Sequence, residues 1–150
     1  DLKALGHAAA EALGQLHDPE AVKVLLDAVN YDKYASVRGK ACQSLGYLRD
    51  TTATPTLLKI LEEDENPTVR RRAAEALGDI RDGMAATALL NTLHQEQDPG
   101  VRWSVIEALG MLKDAAAIPA LLQTLSGDPD LNVRWHAAQT LEMMDLGEIL

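Results

Sequence analysis

Apolar residues recur along this chain with the period of a helix, and the pattern itself recurs. Val69, Ala73, Ala76, Leu77 and Ile80 are spaced 4, 3, 1 and 3 apart, which lays them along one stripe of an α-helix. Val-Arg stands at 37–38, 69–70, 101–102 and 133–134, and Leu-Gly at 13–14, 45–46, 77–78 and 109–110, each 32 positions after the last. A helix, here helix A, is therefore predicted over roughly 3–16, 35–48, 67–80, 99–112 and 131–144. A second stripe joins Ala21, Ala53, Ala85 and Ala117 to the leucine pairs 25–26, 57–58, 89–90 and 121–122, and Val29, Leu61, Leu93 and Leu125 complete it. It predicts a helix B over roughly 19–30, 51–62, 83–94 and 115–126. Neither helix can bury its apolar faces alone. Stacked pairs can, so residues 1–150 read as one array of about four and a half units.

The punctuation between stripes repeats as well. Pro67 and Pro99 fall in the first turn of helix A, where a missing N–H costs little. Gly14, Gly46, Gly78 and Gly110 lie near its far end. They either end the helix or let two helices approach, and the pattern leaves both roles open. Four residues later come Asp18, Asp50, Asp82 and Asp114, each placed to cap the next helix by accepting its free N–H groups.

Composition narrows the classes of function. The apolar material is mostly Ala and Leu and there is no Phe, which suits close helix packing. A net charge of −9 disfavours a general binder of nucleic acid or acidic membranes. A single cysteine, Cys42, excludes an internal disulfide and points to a reducing, cytoplasmic compartment. No apolar run approaches the roughly 20 residues that cross a bilayer. The sequence begins at Asp1 directly in helical pattern, and is expected to be part of a longer protein.

Asp-Pro-x-Val-Arg-x-x-Ala-x-x-Ala-Leu-Gly, followed by Asp and a Leu-Leu pair, resembles the short HEAT-like repeats also seen in phycobilin lyase subunits. The likeness covers residues 1–144 as four full units and a last helix A. It implies a right-handed α-solenoid with A helices on the convex side and B helices lining the concave side. Proteins of this type usually hold other proteins. A protein partner, or another domain of the same chain, is therefore expected. A place in a phycobilin lyase or similar chromophore-handling complex is the alternative.

Candidate chemistry follows from the columns. Arg38, Arg70, Arg102 and Arg134 form a ladder, read as structural and paired with Asp18, Asp50, Asp82 and Asp114 of neighbouring units; an anion-binding stripe is the other reading. Arg70, Arg71 and Arg72 with Arg38 and Lys40 make the one basic cluster and a weaker alternative of nucleic-acid binding, set against the acidic run at 62–65. Trp103 and Trp135 occupy one column, as packing first and as an anchoring patch second. Iron-binding HEAT-repeat hydroxylases carry His-Glu dipeptides, and this chain has none, so neither metal nor cofactor is expected. No catalytic constellation is visible, and Cys42 reads as a core residue. The candidate partner surface is the outward side of the B helices, where the units differ: Lys23, Asp27, Asn30, Lys59, Glu62, Thr87, Asn91, His94 and Gln123.

Overall fold

The computed structural model describes the backbone of residues 2–149 and the side chains of residues 3, 4 and 6–144. Among the described residues the chain is all helix and turn. The A helices are α1 (Leu2–Leu13), α3 (Ala35–Leu48), α5 (Pro67–Ile80), α7 (Pro99–Leu112) and α9 (Leu131–Ile149). The B helices are α2 (Pro19–Tyr31), α4 (Thr54–Glu63), α6 (Ala86–Gln95) and α8 (Ile118–Gly127). Each A helix packs on the A helix of the next unit and on the B helices beside it, giving the stacked α-solenoid that the repeat predicts.

The helix starts follow the predicted chemistry. Carboxylates of Asp18, Asp50, Asp82 and Asp114 accept the backbone N–H of Glu20, Thr52, Met84 and Ala116 at 2.8–3.0 Å. Three of the B segments open with a tighter turn, at Thr51–Ala53, Gly83–Ala85 and Ala115–Ala117, before the α-helix begins. The first unit has Pro19 at that place and enters the α-helix directly.

The two open roles of the glycine column are now resolved. Gly46, Gly78 and Gly110 sit inside α3, α5 and α7, and each faces the next A helix. A Cβ on Gly46 would lie 3.0 Å from the Ala76 Cα, and one on Gly78 would lie 3.1 Å from the Ala108 Cα. Close approach is therefore their job. The helices end three residues later, on Arg49, Arg81 and Lys113 in the left-handed region with φ of 52°, 58° and 54°.

Burial matches the inward columns for most of the stack. Ala53, Leu57, Ala73, Leu77, Ala85, Leu89, Val105 and Leu109 are fully buried. Two corrections fall at the ends. Leu125, expected in the core like Leu61 and Leu93, is 37% exposed, and Leu122 is 52% exposed, because no further B helix lies against α8 among the described residues. The first and last A helices also depart from the predicted bounds: α1 stops at Leu13 in three-residue turns, and α9 continues to Ile149.

Candidate functional site

The arginine ladder is built differently from the expected pairing. Arg38 donates through Nε and Nη2 to Asp64 at 2.8 and 3.1 Å. Arg70 does so to Glu96 at 3.0 and 3.0 Å, and Arg102 to Asp128 at 2.9 and 3.0 Å. The remaining guanidinium nitrogen of each donates to the previous linker, at Asp32 O, Asp64 O and Glu96 O. Each arginine thus ties two successive linkers by a planar fork that fits a carboxylate. Asp18, Asp50, Asp82 and Asp114 cannot serve, because they lie past the far end of helix A. The arginines stand in its first turn, roughly 15 Å away at 1.5 Å per residue. The ladder has two exceptions. Gly6 offers the Asp32 carboxylate no arginine fork, and that carboxylate accepts the Tyr34 N–H at 2.8 Å, while Arg134 forms no ion pair or side-chain hydrogen bond among the described residues.

The basic cluster is paired with carboxylates in place, Arg71 and Arg72 sharing one. Arg70 belongs to the ladder, Arg71 and Arg72 reach Glu75 at 3.5 and 3.0 Å, and Lys40 reaches Glu11 at 3.5 Å. A groove of 510 Å³ beside it is lined by His7, Ser36, Lys40, Asn66 and Arg72 among others, so it holds acid-paired cations rather than a free positive stripe.

The tryptophans part company. Trp103 packs against the core and stacks on His136 with ring centroids 4.7 Å apart. Trp135 meets the same ring edge-on at 5.0 Å and is 58% exposed. His136 Nδ1 lies 3.2 Å from Glu107, whose carboxyl is raised by burial and partly restored by that histidine. Cys42 is fully buried, and burial pushes its thiol up to about 12, so it is no nucleophile at neutral pH. Among the described residues no three His, Cys, Asp or Glu side chains converge on a point where a metal could sit. No described helix is long and apolar enough to cross a membrane.

On the B side, Lys23, Asp27, Asn30, Lys59, Glu62, Thr87, Asn91, His94 and Gln123 are all exposed. They do not form one pocket. Lys59, Glu62 and Asn91 meet in a groove of 390 Å³ between α4 and α6, floored by Leu58 and Ala88. Lys59 and Asn30 share a second groove of 390 Å³ between α2 and α4, with Tyr31 and Glu63. Lys59 therefore stands between both grooves. Lys23, Asp27, Thr87, His94 and Gln123 line neither. Asn30 also turns back on its own helix, donating to Leu26 O at 3.0 Å. Sequence reasoning missed Gln95 and Glu63, which line these grooves one residue past the predicted helix ends, and it did not assign Tyr31, which is 82% exposed, to the partner surface. The chemistry available is a mixed polar surface over an apolar floor, suited to a peptide or helix surface.

Against known proteins, a family model for HEAT repeats matches residues 31–91 and 86–148. The chain belongs to the HEAT-repeat family. A model for the PBS lyase HEAT-like repeat also matches residues 5–31. Among solved structures, a chain in the complex of CpcE and CpcF of phycocyanin lyase from Nostoc sp. PCC7120 superposes with a TM-score of 0.80 at 26% identity, over 97% of this HEAT-repeat chain and 61% of that one. This chain thus spans less than two thirds of that relative. Epoxyqueuosine reductase, solved with a tRNA-Tyr epoxyqueuosine-modified stem loop, matches at a TM-score of 0.51 and 28% identity over 53% of this chain and 21% of the enzyme. Human deoxyhypusine hydroxylase in complex with glycerol shares the fold alone, with a TM-score of 0.52 at 17% identity over 96% of this chain and 80% of that one. No curated protein matches the sequence.

Proposed function

We propose that this HEAT-repeat array is a non-catalytic module that holds a protein segment on its B-helix face. The observation that carries the reading is the division of labour among columns. Residues common to the units are buried or tied into linkers, as with Leu57, Leu89, Arg70 and Asp82. Residues that differ, with Lys59 at the centre, are exposed beside grooves with an apolar floor. Such a surface recognises a partner through a few buried apolar contacts and a polar rim. Chemical cross-linking of the affinity-captured partner tests it. Cross-links are expected at Lys23 and Lys59, on the B side; cross-links confined to Lys33, Lys40 and Lys113 would contradict it.

A second reading, as a subunit of a phycobilin lyase or similar chromophore-handling complex, is supported by the superposition on a chain of the CpcE–CpcF complex and by the lyase-type repeat at residues 5–31. Here the partner is a second subunit of the complex, and the pair, not this chain alone, handles the bilin. Addition of bilin to the chain with its captured partner is then expected to shift the bilin absorbance or fluorescence. A flat spectrum removes this reading and leaves the first standing.

A further inference from the structure

One column of the A row carries a cation in several layers and changes its kind in the last. Positions 40, 72, 104 and 136 are Lys, Arg, Ser and His, and positions 11, 43, 75 and 107 of the preceding A helices are Glu, Gln, Glu and Glu. At the two ends of the stack these columns pair across layers. Lys40 Nζ on α3 lies 3.5 Å from Glu11 on α1, and His136 Nδ1 on α9 lies 3.2 Å from Glu107 on α7. The middle layers use the columns otherwise: Arg72 pairs with Glu75 on its own helix, and Ser104 is buried with a hydroxyl that makes no hydrogen bond. The seat is shared as well. The Arg72 stem lies over Gly39, 3.7 Å from where a Cβ would stand, and the His136 ring lies over Trp103, which holds the Gly39 place two units on.

Few charges surround the ring. The B helix packed on α9, α8, carries no ionisable side chain. From α7, Glu107 faces His136, while Arg102 is committed to Asp128. From α5, Glu75 acts through Glu107: burial first holds that carboxyl up, Glu75 adds to the rise, and His136 opposes it. On α9 itself Trp135 meets the ring edge-on, Arg134 points roughly 200° away round the helix, and Asp130 spends its carboxylate on the N–H groups of Asn132 and Val133.

We propose that His136 is a proton-operated clamp between α7 and α9: protonation completes there the ion pair that Lys40 and Glu11 hold at all times between α1 and α3, with the imidazolium seated on the face of Trp103. Lysine stays charged, whereas histidine changes its charge between about pH 5 and 8. The cation gains from the carboxylate by charge and from the indole face by its quadrupole. The sign follows from both partners. A carboxyl raised by burial weighs against the fold as pH rises through its folded value, and deprotonation of His136 takes away its partner too. The last two A helices are therefore held more firmly as pH falls, until Glu107 itself takes a proton. This clamp is independent of the grooves at Lys59.

The chain's two tryptophans both touch the His136 ring, so their emission reports its charge, because an imidazolium quenches an indole in contact with it. Titration of the intact chain from about pH 8.5 to about 5 is expected to quench the emission in one transition. His136→Gln should remove that transition, and Glu107→Gln should move its midpoint down by about half a pH unit or more. The melting temperature of the parent relative to Glu107→Gln should rise by roughly 2 °C over the same change in pH. In a His136→Lys background, which puts the chemistry of Lys40 in the last layer, the same comparison should give one value at both ends of the titration. A midpoint unmoved by Glu107→Gln, or the same pH dependence of the melting difference in a His136→Gln background, overturns the inference.

Discussion

The two rows of helices use the same 32-residue repeat to opposite ends. In the A row, neighbours touch nearly backbone to backbone, with glycine in the contact and alanine facing it, as at Gly46 and Ala76. In the B row, neighbours stand apart and leave grooves of 390 Å³ on either side of Lys59. The A row fixes the geometry of the stack, while the B row leaves room for surface that can vary from unit to unit. Small side chains at a helix crossing permit a close, rigid contact; long ones hold helices apart and leave side chains free to choose a partner.

The largest expected effect tests whether the B row is stabilised on its inner side as firmly as the A row. Leu89 is fully buried, and Leu89→Ala should lower the unfolding free energy by roughly 2–5 kcal/mol in urea titration, whereas Leu122→Ala should change it by less than about 0.5 kcal/mol. Next comes the fork between linkers. Arg70→Gln removes a charged, bidentate hydrogen bond from groups largely shielded from water, and should cost roughly 1.5–3 kcal/mol by the same measurement. The comparison of rows is sharpest at glycine. Gly46→Val drives a side chain into the backbone of α5 and should cost roughly 1–3 kcal/mol, while Gly127→Val, at a B-row position with nothing within 4 Å of the added Cβ, should leave the melting temperature near that of the parent. The smallest of the four effects is Asp82→Ala, which frees the Met84 N–H at a helix start and should cost about 1 kcal/mol.

Much of this was legible in the sequence, because a period writes each structural demand several times. The helix pairs, the capping aspartates and the buried leucines all follow from columns that agree. What was hidden has physical causes. The glycine column is compatible with both an ending and a contact, and only the distance from Gly78 to Ala108 separates them. Arg70 has acidic residues both at the A–B turn and in the linkers, and two periodic columns in register carry no information on which one is in reach. Trp103 and Trp135 share a column and differ in burial, because α9 lays His136 over Trp103 while no described helix lies beyond α9 to cover Trp135. Of the B-side residues, the periodicity picked out the exposed ones, but which of them share a groove depends on the spacing between helices. Lys59 emerged at the centre only once α2, α4 and α6 were in place.

The central claim is that columns on which the units agree hold the fold, and columns on which they differ hold the partner. One variant tests it directly: Lys59→Ser, Glu62→Ser and Asn91→Ser combined, measured for thermal melting and for retention of the affinity-captured partner side by side. The account predicts an unchanged melting temperature and loss of the partner. A partner retained in full, with or without a fall in melting temperature, would contradict it.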